Sequence, residues 1–401
     1  MAAEATTRAL AIDPGEPLAL VEDGYRRYNE NDLDRAAARV EAALAAAPDH
    51  PDALALAAAL ARAGLAGRRA TDDDLARVRA PAERALALDP SQVEAAIVVA
   101  ITLPPDDEEF VRRAVAILDR ALDGAPGHPL LLGQRGRLRT ALGQLAGARD
   151  DLARATTLLP DDPAFAVEHA LVLARLEEDD LAIVAQDRAM DLGAERPELL
   201  ASRLETLVRR RELARALADA DLFLRSAGRE EPGLVARVHL LRGMACHLSG
   251  EAEAALADAR RAIALAGHPL AHALGVWARL ERDDVAGALA AAEEVVQRYP
   301  RLPEALATRA RARLASGQVG DALADAERAV ASPTVTPQVR TVHAAALLAA
   351  GARRRAVAAA RVACDAAGPR PSRRGWSSAR PSPARARSTP RARPCSRSCA
   401  G

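Results

Sequence analysis

The sequence repeats with a period of 34 residues. Prolines recur at this step in two runs, at positions 129, 163 and 197 and again at positions 269, 303 and 337. Each of these prolines is followed, nineteen residues later, by an alanine: Ala148, Ala182, Ala216, Ala288, Ala322 and Ala356. A 34-residue period built from helix-forming residues is typical of a solenoid of helix pairs, in which each unit packs only against its neighbours. The sequence therefore predicts an all-α array whose function lies on a surface rather than in a catalytic cluster.

One unit shows how the helices are delimited. Pro129 opens a helix, because proline fits the first helical turn, where an N–H group would have no partner. Gly143 ends this helix, and a second helix follows until Pro160, which cannot continue it. Gly136 and Ala148 are small, so we expect the two helices to cross closely at these positions.

The same layout predicts ten units. A lead-in occupies residues 1–16, the units fill 17–228 and 229–368, and a tail occupies 369–401. The division at 228/229 reflects one irregularity: the step from Ala216 to Ala255 is 39 residues. The five extra residues fall in the polar, Gly/Pro-rich segment 226–233, which predicts a hinge loop between two halves.

Composition excludes several functions. The chain has no lysine, so all 55 basic residues are arginine, as is typical of a high-GC bacterial genome. A phosphate-binding P-loop and a Schiff base to pyridoxal phosphate both need lysine and are excluded. The tail holds nine arginines and no acid, which leaves 46 arginines against 55 acids elsewhere, a net charge of −9. An acidic body disfavours nucleic-acid binding.

The termini and cysteines indicate a compartment. Residues 1–14 show no secretory signal pattern, and the longest uncharged apolar run, 95–103, is far too short to span a membrane. The four cysteines have no disulfide-framework spacing. We therefore expect a cytoplasmic protein with reduced thiols and no membrane span.

The units resemble tetratricopeptide repeats, which carry Leu and then Gly or Ala in the first helix, Ala in the second, and a closing Ala and Pro. Two units match with Gly136, Ala148, Ala155, Pro160 and with Gly24, Ala36, Ala43, Pro48. The resemblance covers residues 17–368 and implies a right-handed superhelical solenoid with a concave groove lined by the first helices. Positions that the family often fills with aromatic residues are mostly Leu, Ala or Val here, so packing depends on close Ala/Leu contacts.

The resemblance also implies that a protein or peptide partner binds in the groove. Mapping the groove face onto this chain selects Tyr25, Tyr28, Arg137, Glu205, Arg209, Arg237, Met244, His247, Trp277 and Arg311. Tyr, Trp, Met and Arg are enriched in interface hot spots. Ordinary core packing stays open for Trp277 and the two tyrosines, and solvated surface positions for the arginines.

Other chemistry has weaker support. Cys246, His247, His239, His268 and His272 have metal-ligand types, but Pro269 places His268 before a helix, and a site needs three or four convergent groups. We predict no metal and no cofactor.

Acidic runs at 72–74, 106–109 and 161–162 stand where helices should begin, so helix capping and the helix dipole explain them. No phosphate loop and no catalytic His or Ser motif occurs.

The sequence thus favours a non-catalytic interaction scaffold. The alternative is a regulatory or sensor portion of a larger signalling, transcription or secretion system, and an enzyme ranks third. The tail allows two interpretations. The first is a basic arm for nucleic acid or an anionic membrane. The second is a disordered segment that results from a shifted reading frame.

Overall fold

The computed structural model describes residues 2–67, 70–102, 107–194, 196–226 and 230–366. These residues form 21 α-helices and no strand. The helix α1 (Ala2–Ile12) precedes the repeats, and the other twenty helices form ten consecutive pairs. The predicted all-α class and the count of ten units are confirmed. The tail, 369–401, lies outside the described residues.

Each pair consists of a first helix and a second helix joined by a short turn or loop. The first helices are α2 (Pro17–Asn29), α4 (Pro51–Ala63), α6 (Val93–Thr102), α8 (Pro129–Ala141), α10 (Pro163–Arg175), α12 (Pro197–Arg209), α14 (Pro232–Ser249), α16 (Pro269–Glu281), α18 (Pro303–Ala315) and α20 (Pro337–Ala349). The second helices are α3 (Leu33–Ala46), α5 (Asp72–Leu88), α7 (Glu108–Gly124), α9 (Leu145–Leu158), α11 (Asp179–Asp191), α13 (Leu213–Ser226), α15 (Ala252–Ala266), α17 (Val285–Arg298), α19 (Val319–Val330) and α21 (Arg353–Ala366).

The chain divides into two compact units, Met1–Ala291 and Ala292–Gly401, and each is described by itself. In the larger unit every first helix from α2 to α14 contacts the first helix of the next pair. Second helices contact first helices, and no described pair of second helices makes contact. The first helices of this unit therefore form one continuous layer. In the smaller unit α18 likewise contacts α20.

Proline sets where most first helices begin. Nine of the ten carry it in the first turn, and only α6, which begins at Val93, does not. The proline ring fixes φ near the helical value and gives up an N–H group that has no intrahelical partner. The spacing of the prolines therefore becomes the spacing of the first helices.

The acidic runs cap helices, as predicted. Asp107 accepts hydrogen bonds from two backbone N–H groups at the start of α7, and Asp162 does the same for α10. In the run at 72–74 the cap of α5 is Thr71, and Asp74 completes a reciprocal capping box. Asp106 lies outside the described residues.

The turn inside a pair has one recurring conformation. In eight pairs a residue in this turn has a positive φ, between 57° and 81°. In seven of them it lies fourteen places after the start of the first helix, and in the pair of the longer helix α14 it lies eighteen places after it. Gly143, with φ of 71°, is one of them, which confirms that it ends the first helix of its unit. The other seven are Asn31, Glu177, Arg211, Gly250, Asp283, Gly317 and Gly351. A non-glycine residue in this region costs about 1 kcal/mol or more, so the turn is maintained by the packing of the two helices.

The five-residue insertion lengthens a helix, which corrects the two ends of the predicted loop at 226–233, whereas residues 230 and 231 are not helical. Helix α13 continues to Ser226 and α14 begins at Pro232, so both ends of the segment are helical. The insertion lengthens α14 to 18 residues, whereas α12 and α16 have 13. Pro232 explains the early start, because it is favourable in a first turn. Residues 227–229 lie outside the described residues, and both a hinge there and the division at 228/229 stay predictions.

In the pair of α8 and α9 the two helices cross at a glycine. A Cβ atom added to Gly136 would lie 2.6 Å from Cγ of Leu152 and 3.3 Å from the carbonyl oxygen of Ala148. Leu152 and Ala148 are fully buried. The close crossing predicted at Gly136 and Ala148 is confirmed, and it leaves no room for a larger side chain.

We expect Gly136→Ala to destabilise the array by about 1–3 kcal/mol, because the added methyl group overpacks a filled crossing. The matched control is Gly320→Ala at the exposed start of α19, where an added Cβ meets nothing within 4 Å. There, better helix propensity should stabilise by about 0.5 kcal/mol. Urea denaturation followed by circular dichroism measures both, and equal midpoints for the two variants would contradict the crossing.

An arginine held between two aspartates links neighbouring pairs. Arg135 on α8 donates two hydrogen bonds, of 2.8 and 2.6 Å, to Asp151 on the second helix of its own pair. It donates a third, of 2.7 Å, to Asp119 on the second helix of the preceding pair. The Asp151 side chain is only 5% exposed. We call this arrangement the arginine clamp, because one guanidinium holds three helices.

The clamp recurs along the chain. Arg203 lies between Asp187, at 2.7 Å, and Asp219, at 3.1 Å. Arg242 forms the same clamp between Asp221 and Asp258. Two simpler ion pairs join only the helices of one pair: Arg309 with Asp325 in the smaller unit, and Arg39 on α3 with Asp23 on α2.

The balance between burial and charge differs from clamp to clamp. At Asp219 burial prevails over the charge of Arg203 and raises the pKa, whereas at Asp258 the charges prevail. Burial alone would raise the pKa of Asp258, but hydrogen bonds from His239 and Arg242 hold it below the ordinary value of 3.8. A carboxylate with a lowered pKa stabilises the folded state above its unfolded pKa, and this stabilisation is lost as the pH falls through the folded value. The clamp at Asp258 therefore contributes stability that is lost in acid.

We expect Asp151→Asn to destabilise the chain by about 2 kcal/mol, because Arg135 and Arg139 lose their buried anionic acceptor. Asp150→Asn is the matched control. Asp150 is the neighbouring acid on the same helix, and it pairs on the surface with Arg149, so this change should leave the urea midpoint where it is. If the two variants unfold alike, the clamp contributes no more than a surface ion pair.

Candidate partner-binding face

The layer of first helices presents a row of side chains that contact one another across neighbouring pairs. We call this row the first-helix face. Every contact joins residues 32 to 35 positions apart, which is about one repeat. The contacts are Arg62 Nη2 to Tyr28 Oη at 3.2 Å, Arg175 to the Thr140 carbonyl at 3.4 Å, Arg209 to the Ala174 carbonyl at 3.4 Å, Arg237 to Glu205, and His247 Nδ1 to Glu281 Oε1 at 2.8 Å. The repeat period thus places these side chains side by side.

Three predicted residues in the middle of the face neutralise one another. Glu205 forms ion pairs with Arg209, at 3.2 Å, and with Arg237. Arg209 also pairs with Asp179 at 2.7 Å. Burial alone would lower the pKa of Arg209, but these acidic neighbours raise it. The group is partly exposed, so each pair contributes at most about 1 kcal/mol. A partner could still reach these side chains, but it would have to compete with existing pairs.

A second group of predicted residues consists of a methionine and two aromatic side chains. The rings of His247 on α14 and Trp277 on α16 have their centroids 5.8 Å apart. Met244 and Trp277 are half-buried and pack against the same core cluster, which includes Leu240 and Leu274. The structure therefore brings Met244, His247 and Trp277 together from two consecutive first helices. We call this group the Met–His–Trp patch.

The two tyrosines belong to both the core and the face. Tyr25 and Tyr28 are half-buried and pack against Val40 and Leu56. The Tyr25 hydroxyl donates to the backbone carbonyl of Asp52 at 3.4 Å, and the Tyr28 hydroxyl accepts from Arg62. Both interpretations of these residues, packing and partner contact, are compatible with this geometry.

The remaining two predicted residues stand apart. Arg137 is exposed on α8 and donates to Gln134 of the same helix at 2.9 Å. Arg311 is exposed on α18 in the smaller compact unit. A common surface for Arg311 and the patch therefore stays a prediction.

Sequence reasoning missed several residues of the face. Arg62, Asp179 and Glu281 contact predicted residues but were not selected. Two of them were detectable, because Arg62 lies 34 residues after Tyr28 and Glu281 lies 34 residues after His247. Applying the period to each candidate would have found the partners.

The residues with metal-ligand types have other roles. In the described parts of the chain, no group of three or more His, Cys, Asp or Glu side chains is placed to hold a metal ion. His268 precedes α16, as predicted, and caps it by accepting from the Leu270 N–H at 3.2 Å. Burial raises the pKa of the Cys246 thiol to about 11, so it stays protonated at neutral pH and is a poor nucleophile. None of the described helices is both long and apolar enough to cross a membrane.

Among the comparisons with known proteins, only the one with solved structures found matches. No family model matches the chain, and no curated protein matches it. YrrB, described as a TPR protein with an unusual peptide-binding site, is 21% identical with a TM-score of 0.42, over 48% of this chain and 96% of its own. The APC/C hetero-tetramer Cut9-Hcn1 is 14% identical with a TM-score of 0.47, over 83% and 76%. A tetratricopeptide repeat protein from Parabacteroides merdae is 18% identical with a TM-score of 0.37, over 65% and 98%.

All three TM-scores lie below 0.5, so the assignment of the fold depends on the repeats of the chain itself. The 34-residue period appears in the structure as consecutive helix pairs with a recurring turn, a small-residue crossing and a continuous layer of first helices. These features show an all-α solenoid of helix pairs, and its units resemble tetratricopeptide repeats.

Proposed function

We propose that the chain is a non-catalytic interaction scaffold that binds a protein or peptide segment on its first-helix face. The observation that supports this most directly is the Met–His–Trp patch. Aromatic residues and methionine are enriched at protein interfaces, and tryptophan is prominent among hot-spot residues. Here they stand half-buried on the face formed by consecutive first helices.

The neighbouring charges support a partner with mixed chemistry. Beside the patch, Glu281 lies 2.8 Å from His247, and further along the face Glu205 stands between two arginines. An apolar side chain that packs on Trp277 would thus have polar groups of both signs within reach. We expect such an arrangement to select a sequence rather than bind any apolar segment, because mispaired charges at an interface are costly.

The proposal also covers the compartment, the cofactors and the class of partner. The scaffold is cytoplasmic, takes no cofactor and does not use nucleic acid as its main partner. The acidic character of residues 1–368, with a net charge of −9, supports the last point.

The test begins with peptides selected for binding from a random display library. Their affinities for wild type, Trp277→Ala, Met244→Ala and His247→Ala are then measured by calorimetry. We expect each patch variant to bind at least about ten-fold more weakly, which is the loss of one hot-spot contact. Arg311→Ala, tested alone, shows whether the smaller unit contributes.

The control is Val184→Ala. Val184 is an exposed apolar residue on the second helix α11, 68% accessible and away from the first-helix face. Its affinity should stay within two-fold of wild type. If all three patch variants fold and still bind every selected peptide as wild type does, the patch is core packing and the proposal is wrong.

A further inference from the structure

One position on the first helix and one on the second helix change together along the chain. In the seven consecutive pairs from α8/α9 to α20/α21, these two positions are sixteen residues apart in the sequence. We call them the clamp positions. Each arginine found there lies 2.6–3.1 Å from an aspartate of its own pair. The four pairs that carry both residues are Arg135/Asp151, Arg203/Asp219, Arg242/Asp258 and Arg309/Asp325.

Two other pairs carry a histidine and an alanine at the clamp positions. His169 on α10 is followed by Ala185 on α11, and His343 on α20 is followed by Ala359 on α21. In the remaining pair both positions hold small residues. While the histidines are neutral, each pair therefore has either both charges or neither. A histidine that takes up a proton here gains a charge without the aspartate that balances it in the other pairs.

His169 belongs to the larger unit and is half-buried. Burial lowers its pKa below the ordinary value of 6.5. The charge of Glu178, just before α11, acts in the opposite direction, and the charge of Arg149 on α9 acts in the same direction as burial. Glu178 and Arg149 pair with each other at 2.8 Å. The acid closest to His169 is therefore already bound to an arginine.

The acids at the neighbouring clamps are also occupied. Asp151 on α9 binds Arg135 and Arg139 of α8. Asp187 on α11 binds Arg203 of α12. These helices are the ones that pack against α10. A proton on His169 would thus add a positive charge where the nearby carboxylates already have cationic partners.

His343 has similar surroundings in the smaller unit. It is half-buried, and its Nε2 atom is buried without a hydrogen-bond partner among the described residues. Burial lowers its pKa. Glu327 on α19 acts against burial and Arg355 on α21 acts with it, and these two residues pair with each other at 2.8 Å. On α18, which also packs against α20, Arg309 pairs with Asp325.

We propose that α10/α11 and α20/α21 are proton-sensitive pairs, in which protonation of His169 or His343 loosens the packing of the first helix on the second. A charged imidazole that is partly buried without an acid of its own is costly, and opening of the pair lets water solvate it. Arginine keeps its proton at any pH that a folded protein experiences, so the other pairs contain no such group at this position. The proposal goes beyond peptide binding and does not depend on it.

The sign of the effect follows from the lowered pKa of the two histidines. In an opened pair the imidazole is in water and has its ordinary pKa, whereas the closed pair binds a proton less readily. The stabilisation of the closed pair is therefore complete above the ordinary pKa and is lost as the pH falls below it, toward the folded value. If the closed pair excludes the proton, a change from about pH 7.5 to about pH 5.5 raises the opened population about ten-fold.

Hydrogen exchange of the full chain, followed by mass spectrometry, measures this opening for each pair. Protection factors correct for the intrinsic exchange rate at each pH. Between about pH 7.5 and about pH 5.5, we expect the amides of α10/α11 and α20/α21 to lose protection about five- to ten-fold. The pairs α12/α13 and α18/α19 are the internal controls, because they carry the arginine and aspartate and contain no histidine. Their protection should change less than about two-fold.

Variants assign the response to the histidines. His169→Gln should abolish the response of α10/α11 and leave that of α20/α21, and His343→Gln should do the reverse. His169→Arg combined with Ala185→Asp gives α10/α11 the residues of its neighbours and should also remove the response. The matched control is His50→Gln at the start of α4, outside the clamp positions, which should keep both responses.

Two results would overturn the proposal. One is an equal loss of protection in the histidine pairs and in the internal controls, which would show a general effect of acid. The other is a response of α10/α11 or α20/α21 that persists after its own histidine is replaced in a folded variant. The wild-type comparison decides the first point even where a variant folds poorly. Peptide binding plays no part in this experiment, so the proposed function is tested separately.

Discussion

An arginine that forms ion pairs with two aspartates fixes the packing of neighbouring helices in this protein. In many helical repeats, large aromatic side chains have this role. The chain is half apolar but only 2% aromatic, and alanine forms much of its core. Small side chains allow close helix crossings, as at Gly136, but each buries little area and gives little directional preference. The clamp provides the directional preference that small side chains lack. Because Arg135 holds both its own second helix and the preceding one, a single side chain sets the packing within a pair and between pairs.

Pairing between arginines and acids also determines the chemical character of the first-helix face. Its arginines and acids pair across one repeat, so the middle of the face is already neutral, whereas the Met–His–Trp patch offers apolar and aromatic surface. The open pocket beside Tyr25 differs again, because Asp52, Asp89 and Glu94 line it. Neutral, apolar and acidic segments thus follow one another along the layer. A linear partner would meet them in a fixed order, which is how a repeat array gains sequence specificity without an active site.

The architecture was predictable from the sequence because helix starts, turns and crossings are local signals. Pro129, Gly143 and Gly136 each stand where the period requires them, and the structure uses each as expected. The insertion before α14 was harder, since a polar Gly/Pro-rich composition indicates a loop while Pro232 also suits a first helical turn. The contacts across neighbouring pairs were harder to predict. Arg209 reaches Asp179, which lies 30 residues earlier on the second helix of the preceding pair, so the 34-residue period alone does not find it.

The arginine clamps also determine which peptide bonds of this protein a protease can cleave. Trypsin cleaves after lysine or arginine, and in a chain without lysine every such position is an arginine. The side chains of Arg135, Arg203 and Arg309 are only 11–17% exposed and lie inside helices, so their peptide bonds are protected while the helix pairs stay closed. Cleavage at one of them requires that pair to open. The order in which clamp sites are cut would then rank the pairs by local stability, so that the residue that joins the repeats also reports on which of them opens first.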